Sequence, residues 1–117
     1  MNIFILEDSS YRIKWFEKFF NGCKIDWTDN VQQSCNYLKN NKYDLIFLDR
    51  DLGETGETGE DLVKEMINNK LAQNAAIIIH SINIRGKEMK KKLEEYHKNV
   101  HYISFFHLMK MKKEDFK

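Results

Sequence analysis

Three short apolar runs mark the chain, each passing directly into polar residues: Ile3-Phe4-Ile5-Leu6 into Glu7-Asp8, Leu45-Ile46-Phe47-Leu48 into Asp49-Arg50-Asp51, and Ile77-Ile78-Ile79 into His80-Ser81. Unbroken runs of this length, separated by segments of helical period, predict strands buried on both faces of a parallel sheet. In such a sheet ligands bind beyond the carboxyl ends of the strands. The three polar endings are therefore expected on one rim.

The intervening pattern fills in the order of elements. Ser9 or Ser10 can N-cap a helix over about 10–20, with Ile13, Phe16 and Phe20 on one stripe and Tyr11, Trp15 and Phe19 on the next. Asn21-Gly22 ends it, and Cys23 to Trp27 alternates as a second strand. Asp29, with Gln32 three residues on, predicts a helix to about Lys39, followed by a third strand over Tyr43 to Asp49. Beyond a glycine-rich loop, Thr58-Gly59-Glu60-Asp61 is a capping-box pattern for a helix burying Leu62, Val63, Met66, Ile67 and Leu71. Ala75 to His80 is the fourth strand. Asn83 can cap a fourth helix carrying Met89, Leu93 and Tyr96, Val100 to Phe105 is a fifth strand, and Phe106 to Phe116 a final helix. The pattern is (βα)5, an α/β chain read as one domain over residues 1–117.

Composition narrows the function classes. A chain of 117 residues with 42% apolar and 32% charged residues has material for one core beneath a large charged surface. Its formal net charge of +1 supplies no global field toward nucleic acid or acidic membranes. Cys23 and Cys35 follow no metal spacing and read as packed thiols. With no signal-peptide pattern and no apolar run of membrane length, a reduced, cytoplasmic protein without a membrane partner is expected.

The rim residues suggest phosphoryl and cation chemistry. Glu7, Asp8 and Asp49 crowd like charges beside apolar sequence, an arrangement a cation relieves, and carboxylate ligands suit Mg²⁺ or Mn²⁺. Asp51 either joins them or pairs with Arg50 or a loop amide. Arg12, one turn into the first helix, either takes a phosphate bidentately or pairs as a surface cation with a carboxylate. His80, ending an otherwise apolar strand, is either a satisfied core residue or, from its strand-end position beside Ser81, a general acid or base at the rim. Asn83 either donates to a phosphate or caps its helix. Gly53, Gly56 and Gly59 could present amides to an anion, or simply belong to a loop ending in the Thr58 cap. His97, His101 and His107 lack such placement and read as surface or packing residues. Lys87 and Lys90 to Lys92 form a basic helical face, as do Lys110, Lys112 and Lys113, and both read chiefly as solvated surface.

Five βα units with an acidic pair after strand one, Asp49 after strand three and Ser81 after strand four resemble the receiver domain of response regulators over nearly the whole chain. The resemblance implies a flavodoxin-like sheet of order 2-1-3-4-5 with helices on both faces. It also implies Mg²⁺ on Glu7 and Asp8, Asp49 as phosphoacceptor and Ser81 in contact with the phosphoryl group. One position departs: receivers carry a Lys at the end of strand five, whereas Tyr102 to Leu108 contains none, and the chain has no proline. Glu7-Asp8 with Arg12, Leu48-Asp49-Arg50-Asp51-Leu52-Gly53, Thr58-Gly59-Glu60-Asp61 and His80-Ser81-Ile82-Asn83 are similar to the cyclic-phosphate processing receiver family (roughly ED(x)3R, LDxDLG, TGxD and HSxN). Arg50 stands where that family often has His. This resemblance implies a metal-dependent phosphodiesterase acting on a 2′,3′-cyclic phosphate RNA end or a cyclic nucleotide, in RNA repair or in prokaryotic and viral conflict. Its catalytic residues would be His80 and Asp49, its phosphate ligands Arg12, Ser81 and Asn83, and its metal ligands Glu7, Asp8, Asp49 and Asp51. The alternatives are a phosphorylated receiver switch and a binder that holds a cyclic nucleotide without cleaving it.

Overall fold

The apolar runs pair side by side because extended backbone, once buried, satisfies its N–H and C=O groups by bonding to neighbouring strands. In the computed structural model, which describes residues 1–53 and 56–116, the strands are β1 (Asn2–Leu6), β2 (Lys24–Thr28), β3 (Leu45–Leu48), β4 (Ala76–Ile79) and β5 (Val100–Tyr102). All neighbours are parallel and the order is β2-β1-β3-β4-β5, as expected. The helices are α1 (Ser10–Phe19), α2 (Val31–Asn40), α3 (Gly59–Asn68), α4 (Gly86–Glu94) and the short α5 (Phe105–Leu108), followed by a 3₁₀ turn over Lys113–Phe116. None of the described helices is long and apolar enough to cross a membrane.

Strand alternation sorts the core into two unlike layers. Ile3, Ile5, Leu45, Phe47 and Ile78 face α1 and α5, where they meet Ile13, Phe16, Phe20 and Phe105. Phe4, Leu6, Ile46, Leu48, Ile77 and Ile79 face the other way, onto Leu38, Leu62, Met66, Met89 and Leu93. The first layer is aromatic. The rings of Phe16 and Phe47 lie 4.9 Å apart, and Phe116 returns to within 5.6 Å of Phe20 and 5.9 Å of Phe47.

Several expected boundaries move. Ser9 caps α1, its hydroxyl accepting from Arg12 N–H at 3.3 Å, while α2 is capped by Asn30 rather than Asp29. The Asn30 side chain accepts from Gln33 N–H at 2.8 Å, one residue later than the capping pattern suggested. The Asp61 half of the capping box at α3 is present, its carboxylate accepting from Thr58 N–H at 2.8 Å. Asn83 does not cap α4. It sits in a turn before the helix, where its side-chain oxygen accepts from Arg85 N–H. The expected helix over Phe106 to Phe116 breaks after Leu108, and docking of the Phe116 ring on the aromatic layer accompanies the bend. Cys35 is buried and Cys23 half-buried, both as free thiols. His97, expected at the surface or in packing, is buried, with Nε2 2.7 Å from the Leu71 carbonyl.

Candidate functional site

Register builds the site. Leu6 lies opposite Leu48, and Leu48 opposite Ile79, so three strands end level. The next residues continue the ladder: Asp49 N–H donates to Leu6 C=O at 3.1 Å and His80 N–H to Leu48 C=O at 3.0 Å. Glu7, Asp49 and His80 are thereby neighbours. Each lies two residues beyond Ile5, Phe47 or Ile78, so all three side chains belong to the aromatic face. Ligand atoms of the three lie within 4.8 Å of one another.

This cluster is buried rather than open. Glu7 and His80 are 0% exposed and Asp49 is 4% exposed. Glu7 Oε2 accepts from Asp8 N–H at 3.0 Å and Ser9 N–H at 3.2 Å, while Glu7 Oε1 lies 2.8 Å from His80 Nε2. With Glu7 ionised, Nε2 is the donor of this pair, and Nδ1 has no hydrogen-bond partner among the described residues. The imidazole stands edge-on to Phe16, centroids 5.3 Å apart, and packs against Phe47 at 6.3 Å. Burial lowers the His80 pKa to about 4, with Asp49 opposing, so the ring is neutral at pH 7. The sequence expectation of a rim histidine is thus corrected: His80 is enclosed, because its position on the alternation turns it onto the aromatic layer.

Asp49 connects this buried layer to solvent. Its Oδ1 accepts from Arg50 N–H at 2.8 Å. Burial raises its pKa to about 7, helped by the charge of Glu7 and opposed by His80 and Arg12. Burial likewise pushes the Glu7 carboxyl above its ordinary value. Arg12 partly compensates: Nη1 lies 3.6 Å from both Glu7 Oε1 and Asp49 Oδ2, and the guanidinium lies over the Phe105 ring at 4.9 Å. At 3.6 Å these are ion pairs rather than close hydrogen bonds. Phe105 stands just beyond β5, within the stretch that lacks the receiver lysine, and it supports an arginine from α1.

Above this layer opens a pocket of about 290 Å³ lined by Asp8, Ser9, Arg12, Asp49, Asp51, Gly53 and Ile82. Gly53 is required here. Its φ is +63°, and a Cβ at this position would sit 2.6 Å from Asp8 Oδ2. The loop after β3 therefore cradles the Asp8 carboxylate. Asp51 also reaches the pocket, but its exposed carboxylate pairs with Arg50 at 2.8 Å and accepts from the Asn83 amide at 3.3 Å. Three carboxylates against one guanidinium give the lining an excess of negative charge, and carboxylate oxygens suit a hard divalent cation; Asp49 also belongs, with Glu7 and His80, to a set whose ligand atoms lie close enough to hold an ion. Glu7 fits less well, since backbone amides and His80 already engage both of its oxygens.

The expected residues therefore divide. Asp8, Arg12, Asp49 and Asp51 line the pocket, and Asn83 reaches its edge through Asp51. Ser81 does not line it. One position beyond His80, it faces the opposite side, fully buried, where its Oγ accepts from Asn83 N–H at 3.0 Å and its carbonyl accepts from Tyr102 O–H at 2.7 Å. Ser9 and Ile82 line the pocket without having been assigned to it, and Gly53, one of the three loop glycines considered for an anion, lines it as well. Of these, Ile82 had the clearest signal: an aliphatic residue directly after the polar end of a strand. Gly56 has φ +78°, Gly59 begins α3 inside the fold, and neither lines the pocket.

Solved structures with the same fold are numerous, and at identities of 17% to 22% the likeness shows the fold. A CheY-like response regulator receiver domain from Methanospirillum hungatei JF-1 matches at 22% identity, covering 98% of this chain and 86% of that one, with a TM-score of 0.68. The phosphorylated cyanobacterial phytochrome response regulator RcpA matches at 17% identity, covering 99% and 88%, with a TM-score of 0.73. The response regulator TrrA from Thermotoga maritima, solved with Mg²⁺ and BeF, matches at 19% identity, covering 99% and 98%, with a TM-score of 0.69. No curated protein sequence matches the chain. The sequence model of the cyclic-phosphate processing receiver domain matches residues 3–95, and the chain belongs to that family.

Proposed function

We propose that this domain binds and opens a cyclic phosphate with the help of a divalent cation. The observation that carries the reading is the position of Arg12, a guanidinium held between Glu7 and Asp49 at the wall of a carboxylate-lined pocket. Asp8 and Asp49 would hold Mg²⁺ or Mn²⁺, with Asp51 completing the negative lining. Such a cation would supply electrostatic stabilisation of the negative charge that develops on the phosphoryl group. Arg12, loosely paired and resting on Phe105, turns its remaining N–H groups to the other phosphoryl oxygens as charge builds there. His80 and Glu7 act beneath the pocket as positioning residues, fixing the first turn of α1 through the Asp8 and Ser9 amides. With His80 enclosed, water entering the open pocket adds to phosphorus as the bond from phosphorus to one ribose oxygen breaks, and the proton the water gives up passes to that leaving oxygen. The substrate is a cyclic nucleotide or an RNA 3′ end.

A second reading, a phosphorylated switch, has one observation in its favour: Arg12 supplies to Asp49 the cation that the segment after β5 lacks. Incubation with Mg²⁺ or Mn²⁺ and a panel of 2′,3′- and 3′,5′-cyclic phosphates, followed by chromatography, separates the readings. Cation-dependent ring opening that falls on the order of 10²-fold in Arg12→Ala supports processing. Binding without turnover identifies a binder. No affinity, together with a phosphoryl adduct on Asp49 from acetyl phosphate, identifies the switch.

A further inference from the structure

Ile82 is the one aliphatic side chain among the described residues lining a pocket otherwise made by Asp8, Ser9, Arg12, Asp49, Asp51 and Gly53. It is 54% exposed, and Ile84 two residues on is 78% exposed. A solvent-exposed isoleucine alone needs no explanation. This one sits on a turn pinned from both sides. Before it, the Ser81 carbonyl accepts from Tyr102 O–H at 2.7 Å. After it, Asn83 donates its backbone N–H to Ser81 Oγ at 3.0 Å, accepts from Arg85 N–H at 2.9 Å, and reaches Asp51 across the pocket mouth at 3.3 Å. The turn thus presents an apolar surface beside Arg12 and the acidic lining, at little further ordering cost when a ligand arrives.

A ligand matched to this wall has an anionic end for Arg12 and the cation, and an apolar face a short distance away. A pocket of about 290 Å³ is small for a whole nucleotide, so the phosphate and ribose fill it while the base lies outside against the turn. Building on the proposed cyclic-phosphate reading, we propose that Ile82 is the base-contacting residue, so that the site takes a nucleoside 2′,3′-cyclic phosphate rather than a cyclic phosphate lacking a base. An aliphatic contact imposes no hydrogen-bond pattern. Selectivity among bases follows contact area, with purines favoured modestly over pyrimidines.

The test is equilibrium binding, with Mn²⁺ present, of adenosine 2′,3′-cyclic phosphate and of glycerol 1,2-cyclic phosphate, which has no base. Ile82→Ala is expected to weaken the adenosine ligand on the order of tenfold and leave the glycerol ligand unchanged. Ile82→Leu restores binding, Ile84→Ala changes neither ligand, and melting temperatures confirm that each variant is folded. An oligoribonucleotide ending in a 2′,3′-cyclic phosphate, run alongside, distinguishes an RNA end from a free mononucleotide as the source of the group. If Ile82→Ala leaves the adenosine ligand untouched, or weakens both ligands equally, the assignment of Ile82 is overturned while the cyclic-phosphate reading stands. If the parent protein binds none of these cyclic phosphates, the cyclic-phosphate reading fails and the role of Ile82 fails with it.

Discussion

The polar edge of the sheet has two storeys that differ in nearly every physical respect. The lower one, Glu7 and His80 with the inner part of Asp49, is shut against Phe16 and Phe47 and bonded internally. The upper one, Asp8, Asp51, Asn83 and Ile82, faces water, and its polar contacts are exposed or partly so. Enclosed polar groups are costly to disturb because their partners are left without water, whereas exposed pairs contribute little to stability. The lower storey should therefore hold the fold and the upper one carry ligand and cation. Arg12 and Asp49 touch both.

That division breaks most visibly at the aromatic floor. Phe16→Ala removes a fully buried ring that packs on His80, Phe47 and Phe105, and should cost about 3–5 kcal/mol in urea unfolding. An effect below about 1 kcal/mol would mean that the storey is not packed as described. Next in size, His80→Ala opens a cavity and strips Glu7 of a buried partner. A loss of about 2–3 kcal/mol is expected, where a rim histidine would have cost almost nothing.

A smaller effect separates two members of the lower storey by the sign of their pH dependence, measured in chelator. The folded pKa of Asp49 is raised from 3.8 to about 7, so its contribution is full below the unfolded value and is lost as pH climbs through 7. That of His80 is lowered from 6.5 to about 4, so its contribution is full above 6.5 and is lost as pH falls toward 4. The two slopes oppose each other in the parent and are unmasked by substitution. The melting temperature of Asp49→Asn relative to the parent should rise with pH over roughly 4 to 8, and that of His80→Gln should rise as pH falls over the same range. Two differences of the same sign would mean that one group titrates otherwise than its burial implies. Smallest of all, Asp51→Asn in the upper storey should shift stability by less than about 0.5 kcal/mol, because its pairs with Arg50 and Asn83 are exposed.

The same contrast explains what was legible in the sequence. Strand identity, order and the shared rim followed from three apolar runs and from the family resemblance, and the structure has all of them. What strand ends alone did not resolve was the direction of each side chain. Alternation places Glu7, Asp49 and His80 on the face of Ile5, Phe47 and Ile78, and turns Ser81 to the opposite face. Counting by twos from the core residues would have separated His80 from Ser81. That the histidine face would be closed depended on Phe16 of α1 packing against Phe47 of β3 over that face, a tertiary fact with no local signature. The exchange of Asp29 for Asn30 at the α2 cap is a smaller case, since both residues can cap and register decides between them.

Mn²⁺ binding to the parent, Asp8→Asn and His80→Gln, followed by the loss of the free-ion electron paramagnetic resonance signal, tests the division most directly. The account predicts that Asp8→Asn weakens binding on the order of tenfold or more, since ligand charge sets the affinity of such a site. His80→Gln should remain close to the parent, although it melts at a lower temperature. Because ligand atoms of Glu7, Asp49 and His80 approach within 4.8 Å, the opposite result has a definite meaning. If His80→Gln abolishes Mn²⁺ binding while Asp8→Asn preserves it, the cation sits in the lower storey, and the assignment of structure below and chemistry above is wrong.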